Sequence, residues 1–313
     1  MSAVTSEVDS ERFGRCIAAS KRVRWDIDLD VIRGRRFEPG QKFLPDGLSL
    51  VEKVGSLSPE EKRYLGRIEG RTYANMFGLI ERYISDKVLE LSREHVFGDQ
   101  TALEALVRFT DEELKHQELF RRIELLVADS MPQGYRFLPD PNEVARAVLS
   151  KSTWAVLALT LHVELFTLAH YRESIEPDPA VSPLFKDIFL YHWKEESQHA
   201  IMDELEFRRI DAATTAERRD RAVDEFIELV AAVDGILQAQ SAADSAYFTA
   251  TCGRTLTPAE ERDVCATLLE AYRWQYIFSG VQRTHFARAL SDLITEAQMG
   301  RVQAALASLQ PAG

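Results

Sequence analysis

The sequence predicts an all-α protein. Three observations carry that prediction. Apolar residues recur every three to four positions through most of the 313 residues, with almost no alternation of period two. Helix start signals open several of these stretches, and turn residues separate them. Two long stretches carry the same internal pattern, Glu113-Leu114-Lys115-His116 and Glu196-Ser197-Gln198-His199. Far more of the chain reads as helix than the usual share of roughly a third.

Hydrophobic residues at 45% and charged residues at 28% describe an ordinary soluble globular chain with ample length for a large core. Its length suits one or two domains. The net charge of −12 leaves no basic surplus for phosphates, so nucleic acid is not an expected partner. Cys16, Cys252 and Cys265 are scattered and odd in number, which fits a reducing compartment better than a disulfide framework. The opening residues are polar and mixed in charge, unlike a secretory leader, and the expected location is the cytoplasm. Residues 154–169 come nearest to a membrane span. They are short for one and contain His162 and Glu164, so they read as a buried helix and no membrane partner is expected.

In chain order, residues 1–57 are the least regular and read as an N-terminal strap. The basic clusters Lys21-Arg22-Val23-Arg24 and Arg35-Arg36 leave docking on an acidic partner or a sister subunit as the alternative. A helix over 58–95 starts at Ser58-Pro59-Glu60-Glu61, with a Ser cap, Pro at the first helical position and Glu three residues past the cap. Tyr73, Phe77, Ile80, Ile84 and Val88 form its apolar stripe, and Glu81 lies beside it. Gly98-Asp99 breaks the chain, and Asp99 caps a helix that runs to Ala128 and carries the first motif. A third helix is expected over 142–175. It is the most apolar of the chain yet contains Glu164, which is costly there unless paired or metal-bound. Pro177, Pro179 and Pro183 turn the chain into a helix over 184–210 that carries the second motif. Three more helices are expected over 214–250, 258–293 and 295–309, the second opened by Thr257-Pro258-Ala259-Glu260. Val223, Phe226, Ile227, Val230, Val233 and Leu237 make the first of them amphipathic, suited to pack on the bundle or on a second subunit.

The motifs point to metal. A carboxylate and an imidazole three residues apart share one helix face. Glu113 lies 32 residues after Glu81, and Glu196 lies 32 residues after Glu164. In an antiparallel hairpin, equal distance from the turn means equal depth. The midpoint of Glu81 and Glu113 is Phe97, beside the Gly98-Asp99 break, and that of Glu164 and Glu196 is Ala180, inside the proline-rich turn. Four helices can thus bring four carboxylates and two imidazoles to one level. A lone Glu from each of two helices and a Glu-x-x-His from each of two others is the general rule for dimetal centres in such bundles. Ordinary surface pairs supporting their helices are the alternative.

Over residues 58–212 the chain resembles ferritin-like diiron-carboxylate proteins. His192 precedes Glu196 by four residues, and the extra histidine is similar to that of p-aminobenzoate N-oxygenase-type diiron oxygenases. The resemblance implies a ferritin-like four-helix bundle at 58–212, with the strap before it and a C-terminal helical extension at 213–313 packed on it. It implies metal ligands at Glu81, Glu113, His116, Glu164, Glu196 and His199, with His192 as a third histidine ligand. Glu112 and Glu195 each precede a motif Glu, where an acid can accept a hydrogen bond from a metal-bound histidine. His95, His162, His170 and His285 read as core or surface residues, with His285 able to cover the site from a later helix. Tyr83, Tyr171 and Tyr191 are candidate redox-active neighbours, although aromatic packing explains them as well.

Carboxylates and imidazoles without thiolate suit iron or manganese. The expected cofactor is two Fe ions, with Mn or a mixed Mn/Fe pair as alternatives. The resemblance implies a non-haem diiron oxygenase or oxidase, an oxidoreductase that activates O2 to oxidise a small organic substrate, N-oxygenation included. It needs an electron donor, and a homodimer is the expected assembly. Other readings of the same bundle are a ferroxidase or iron-handling protein, a dimanganese catalase, and a non-catalytic helical dimerisation scaffold.

Overall fold

The computed structural model describes residues 7–38 and 40–310. Among these residues the chain forms twelve α-helices and no strand; Lys42 and Val181 form an isolated bridge.

The strap is more ordered than its sequence suggests. It contains α1 (Glu7–Arg22), which buries Phe13, Cys16, Ile17 and Ser20. That stripe is short and set among polar residues, so its helix depends on packing against the bundle more than on local pattern. A π-helical turn, Ile27–Ile32, follows, and the Asp26 side chain caps it. Residues of both basic clusters, and Arg33 beside the second, pair within the fold. Lys21 pairs with Glu104 at 3.0 Å, Arg35 with Asp187 at 2.6 Å, and Arg33 also with Asp187. After the short α2 (Asp46–Ser49) the strap meets α3 (Pro59–Ser92). Phe43 seats on Gly70 of α3 so closely that a Cβ there would lie 2.5 Å from the Phe43 Cβ.

Ser58 and Glu61 form the expected capping box at the start of α3. A turn of 3₁₀-helix, Arg93–His95, leads to Phe97, the fully exposed tip of the turn. Asp99 caps α4 (Gln100–Ala128), accepting from the backbone of Thr101 and Ala102. α3 and α4 are the most extensively packed pair.

The helix expected over 142–175 is three pieces: α5 (Pro141–Leu149), α6 (Thr153–Ala169) and a π-helical turn, His170–Ile175. Ser152 makes the first break. Its side chain accepts from the Ala155 backbone and starts α6 afresh, as serine favours caps over helix interiors. α7 (Pro183–Ala212) returns along α6 to form the second hairpin, and contacts of α4 with α7 and of α3 with α6 join the two pairs.

α8 (Ala216–Thr251) packs on α6. The helix expected over 258–293 is also broken, into α9 (Pro258–Arg273), a π-helical turn (Trp274–Phe278), α10 (Ser279–Val281) and α11 (Thr284–Ser291). Within α10, Gly280 lies against the His162 ring: a Cβ there would lie 2.3 Å from Nε2. α12 (Glu296–Ser308) closes on α8. Two segments are long and apolar enough to cross a membrane, Thr153–Ile175 and Ala216–Thr251. The first has 83% of its apolar window buried and is the core helix of the fold; the second has 33% buried.

Candidate metal centre

The two hairpins bring all seven expected ligands together. α3 supplies Glu81, α4 supplies Glu113 and His116, α6 supplies Glu164, and α7 supplies His192, Glu196 and His199. Each is at most 2% exposed. Ligand atoms of Glu81, His116, His192 and Glu196 lie within 4.8 Å of one another, and so do those of Glu113, His116, Glu196 and His199. Glu164 belongs to neither tight set. It is buried beside Glu196, whose charge adds to burial in raising its pKa well above the usual range.

The motif pairs interleave across the bundle. His199 Nδ1 is 2.8 Å from Glu113 Oε1, whereas His116, on the same helix as Glu113, has its Nδ1 3.7 Å from that oxygen. Glu196 Oε1 lies 3.2 Å from His116 Nδ1, 3.1 Å from His192 Nε2 and 3.3 Å from His199 Nδ1. It stands at the middle of the cluster.

Glu112 and Glu195 hold the far side of two imidazoles, and the pairs cross. His116 of α4 bonds through Nε2 to Glu195 Oε2 of α7 at 2.9 Å, and His199 of α7 bonds through Nε2 to Glu112 Oε2 of α4 at 2.9 Å. Lys115 donates to the other oxygen of Glu195 at 2.6 Å. An Nε2–H donated outward turns Nδ1 toward the centre, where it offers a lone pair to a metal once its own proton has left. His192 differs. Its Nε2 bonds to Glu81 Oε1 at 2.9 Å, and its Nδ1 has no partner behind it.

Buried polar atoms test whether these residues fit a cation. Both oxygens of Glu113 and of Glu164, Glu196 Oε1, and Nδ1 of His116 and His199 are buried without a hydrogen-bond partner. An unmet buried group costs about 1–3 kcal/mol. Carboxylate oxygens and ring nitrogens aimed at one region suit a cation that displaces their protons, and the ligand set fits divalent ions that prefer oxygen and imidazole.

Without such ions the cluster divides its protons. Burial, with the neighbouring Glu113 charge, pushes Glu81 well above the usual carboxylate range. Burial would raise Glu113 as well, but Glu81, His116 and His199 outweigh it and hold Glu113 low. Burial opposes a charge on His116, but Glu113 and Glu195 outweigh burial and raise it to about 9. His199 is raised for the same kind of reason, by Glu196, Glu112 and Glu113. Burial dominates at His192 and lowers it to about 3.

Three neighbours are absent from the sequence reading. Asp203 is 1% exposed, and its Oδ2 has no partner. Its signal is its spacing: it continues the face of His192, Glu196 and His199 by one more turn. Trp25, from the strap, stacks on His116 with centroids 6.2 Å apart, under the Lys115 ammonium at 4.1 Å. Phe109 stacks on His199 at 3.9 Å. No local pattern marks Trp25, because its role depends on where the strap docks.

The remaining histidines have other partners. His95 bonds to Glu206, His162 to the Ile277 carbonyl, and His170 to Tyr73 and Ser279. His285 bonds to Glu204 at 2.8 Å with its side chain half exposed, and it does not cover the centre. Tyr83 is buried within electrostatic reach of Glu81 and Glu164. Tyr171 packs on Trp193 and Tyr191 on Trp25. Comparison with protein-family models and with curated proteins gives no match.

Proposed function

We propose that the chain is a ferritin-like dimetal-carboxylate oxidoreductase that uses O2 to oxidise a small organic molecule. One observation supports this reading above the others: two Nδ1 atoms, each on a ring held from behind by a carboxylate of the opposite hairpin, face the buried carboxylates Glu113 and Glu196. Surface helix pairs have no reason to be buried, crossed and backed in this way. Glu81, Glu113, Glu164, Glu196, His116, His199 and His192 would hold two iron ions, with manganese accommodated by the same donors. When bound, such a pair supplies the electrons that reduce O2 and hence the oxidising power.

The side chains have separate tasks. Glu196 and Glu113 reach the histidines of both motifs and would help to hold the ions. Glu195 and Glu112 keep His116 and His199 oriented and basic. Phe77, Phe109 and Phe120 press on the imidazoles and exclude water. Asp203, kept protonated by burial, holds a proton at the edge of the centre.

The test is anaerobic Fe(II) loading followed by exposure to O2, read by metal analysis and visible absorption beside a Glu113→Ala control. Two irons per chain and an absorption change on oxygenation, both lost in the control, are expected. No metal uptake would overturn the reading. Uptake without a reaction toward O2 would move it to manganese and peroxide.

A further inference from the structure

A pocket of about 580 Å³ lies on the outer side of α3 and α4, under the segment that carries Phe137 and Asn142. Its floor contains Phe120 and Gly78. The Phe120 ring, 2% exposed, also packs edge-on against His192, with centroids 5.1 Å apart. One aromatic ring therefore separates the pocket from a side chain of the metal centre. Gly78 gives Phe120 close room: a Cβ there would lie 3.3 Å from the Phe120 Cβ, tight enough that Phe120 would have to shift by a few tenths of an ångström. Beside the ring, Gln117 donates to the Glu81 carbonyl at 3.3 Å and to Ser85 Oγ at 3.2 Å, tying α4 to α3. That strut fixes the two backbones beside Phe120, whose ring packs on Phe77, Phe189 and His192.

The charges of the pocket are not balanced. Glu118 is paired with Arg121 at 2.7 Å, and Glu124 with Arg71 at 2.5 Å. Arg82 meets the neutral Asn142 side chain at 2.9 Å and forms no ion pair among the described residues. Its guanidinium is free to bind an anion through charge-assisted, forked hydrogen bonds. The remaining wall is largely apolar, with Leu79, Leu114, Phe120 and Phe137. Its volume falls within the usual range of about 300–1,000 Å³ for small-molecule sites.

We propose that this pocket is the substrate entrance of the metal centre, that Phe120 is its gate, and that Arg82 receives the anionic end of an otherwise apolar small molecule. The proposal rests on the dimetal reading for its destination, but the pocket's charge preference stands apart from it. A molecule held at Arg82 lies with its apolar body along Leu79 and Leu114 toward Phe120. Rotation of that ring then opens the way past Gly78 to His192 and Glu81.

Two measurements test it. In the first, octanoate, octylammonium and octanol are titrated into the metal-free full-length protein by calorimetry. Octanoate binds at least about tenfold more tightly than octylammonium, Arg82→Gln removes that difference, and Arg82→Lys restores part of it. In the second, the centre is loaded with Co(II), and the rate at which azide changes the cobalt absorption is followed. Phe120→Ala and Phe120→Leu speed azide entry by about tenfold or more, Phe120→Trp slows it, and octanoate slows it in the wild type but not in Arg82→Gln. Circular dichroism identifies any variant that fails to fold, and the other two Phe120 variants still read the gate. Equal binding of octanoate and octylammonium overturns the anion site. An azide rate indifferent to the size of residue 120 overturns the gate. A chain that takes up no cobalt refutes the dimetal reading and the gate with it, whereas the first measurement still decides the anion site.

Discussion

Glu195→Gln tests the centre without touching a ligand. Glu195 is fully buried and makes two bonds, from His116 Nε2 at 2.9 Å and from Lys115 Nζ at 2.6 Å. Glutamine keeps the shape but has one acceptor oxygen. If that oxygen faces His116, the amide nitrogen faces the Lys115 ammonium; if it faces Lys115, the His116 N–H meets another donor. One bond is lost either way, and so is the charge that keeps His116 basic. Losing such a carboxylate behind a ligating histidine weakens metal affinity about 10–100-fold, or about 1.4–2.8 kcal/mol. Lys115 is partly solvated, so the fold itself should lose less. The assay is competition between the protein and a chelator for Co(II) or Mn(II), in wild type, Glu195→Gln and Glu112→Gln. Both variants should weaken binding, because both carboxylates fix an imidazole. Lys115→Met keeps the histidine bond and should weaken binding less. Wild-type affinity in a folded Glu195→Gln protein would refute the claim that His116 Nδ1 is presented to a metal.

Three further outcomes follow from local geometry. Gly280→Ala drives a Cβ to within 2.3 Å of His162 Nε2, so the buried ring must leave its place against the Ile277 carbonyl or α10 must move away. The expected cost is about 1–3 kcal/mol in denaturant unfolding, and an unchanged midpoint would contradict the close contact. Gly70→Ala displaces Phe43, so limited proteolysis should cut the strap faster while the bundle stays resistant. Asp244 is pushed up to about 7 by burial, against bonds from Tyr272, Thr72 and Gln240. The folded protein therefore holds a proton that the unfolded chain loses near pH 4. The stability this gives is complete below that pH and falls as pH rises through 7, by about 4 kcal/mol in all. Asp244→Asn should flatten that part of the stability profile; an unchanged slope would remove Asp244 as its source.

The sequence carries the ligand pattern because helical spacing alone puts Glu113 with His116, and Glu196 with His192 and His199, on shared faces. Hairpin symmetry adds Glu81 and Glu164, and the exposed Phe97 stands at the turn that the depth argument requires. The crossing of Glu195 to His116 and of Glu112 to His199 needs the relative rotation of α4 and α7, which no one-dimensional pattern encodes. Trp25 reaches the site only through the strap, whose helix has a weak local signal and is fixed by distant partners such as Glu104 and Asp187. The breaks at Ser152 and over Trp274–Phe278 are invisible to apolar periodicity, which does not report a local change of helix type or a fresh cap.

The proton arrangement makes metal loading itself measurable. In the metal-free cluster burial and neighbouring carboxylate charge raise Glu81 and Glu164, bonds and charges from their neighbours hold Glu113 and Glu196 low, the surrounding carboxylates raise His116 and His199, and burial lowers His192. These shifts favour protons on two of the four carboxyls and charge on two of the three imidazoles, so the charges of the seven side chains offset one another. Ligation needs all four carboxylates ionised and the imidazoles neutral. Two divalent ions then replace two protons from the carboxyls and two from the imidazoles, and the core is again neutral. Loading two ions should therefore release about four protons, read with an indicator dye in weak buffer, and affinity should rise with pH. Release of about one proton or none with two ions bound would mean that the carboxylates are already ionised or remain unligated. Either result would break the link between the buried charge pattern and the metal.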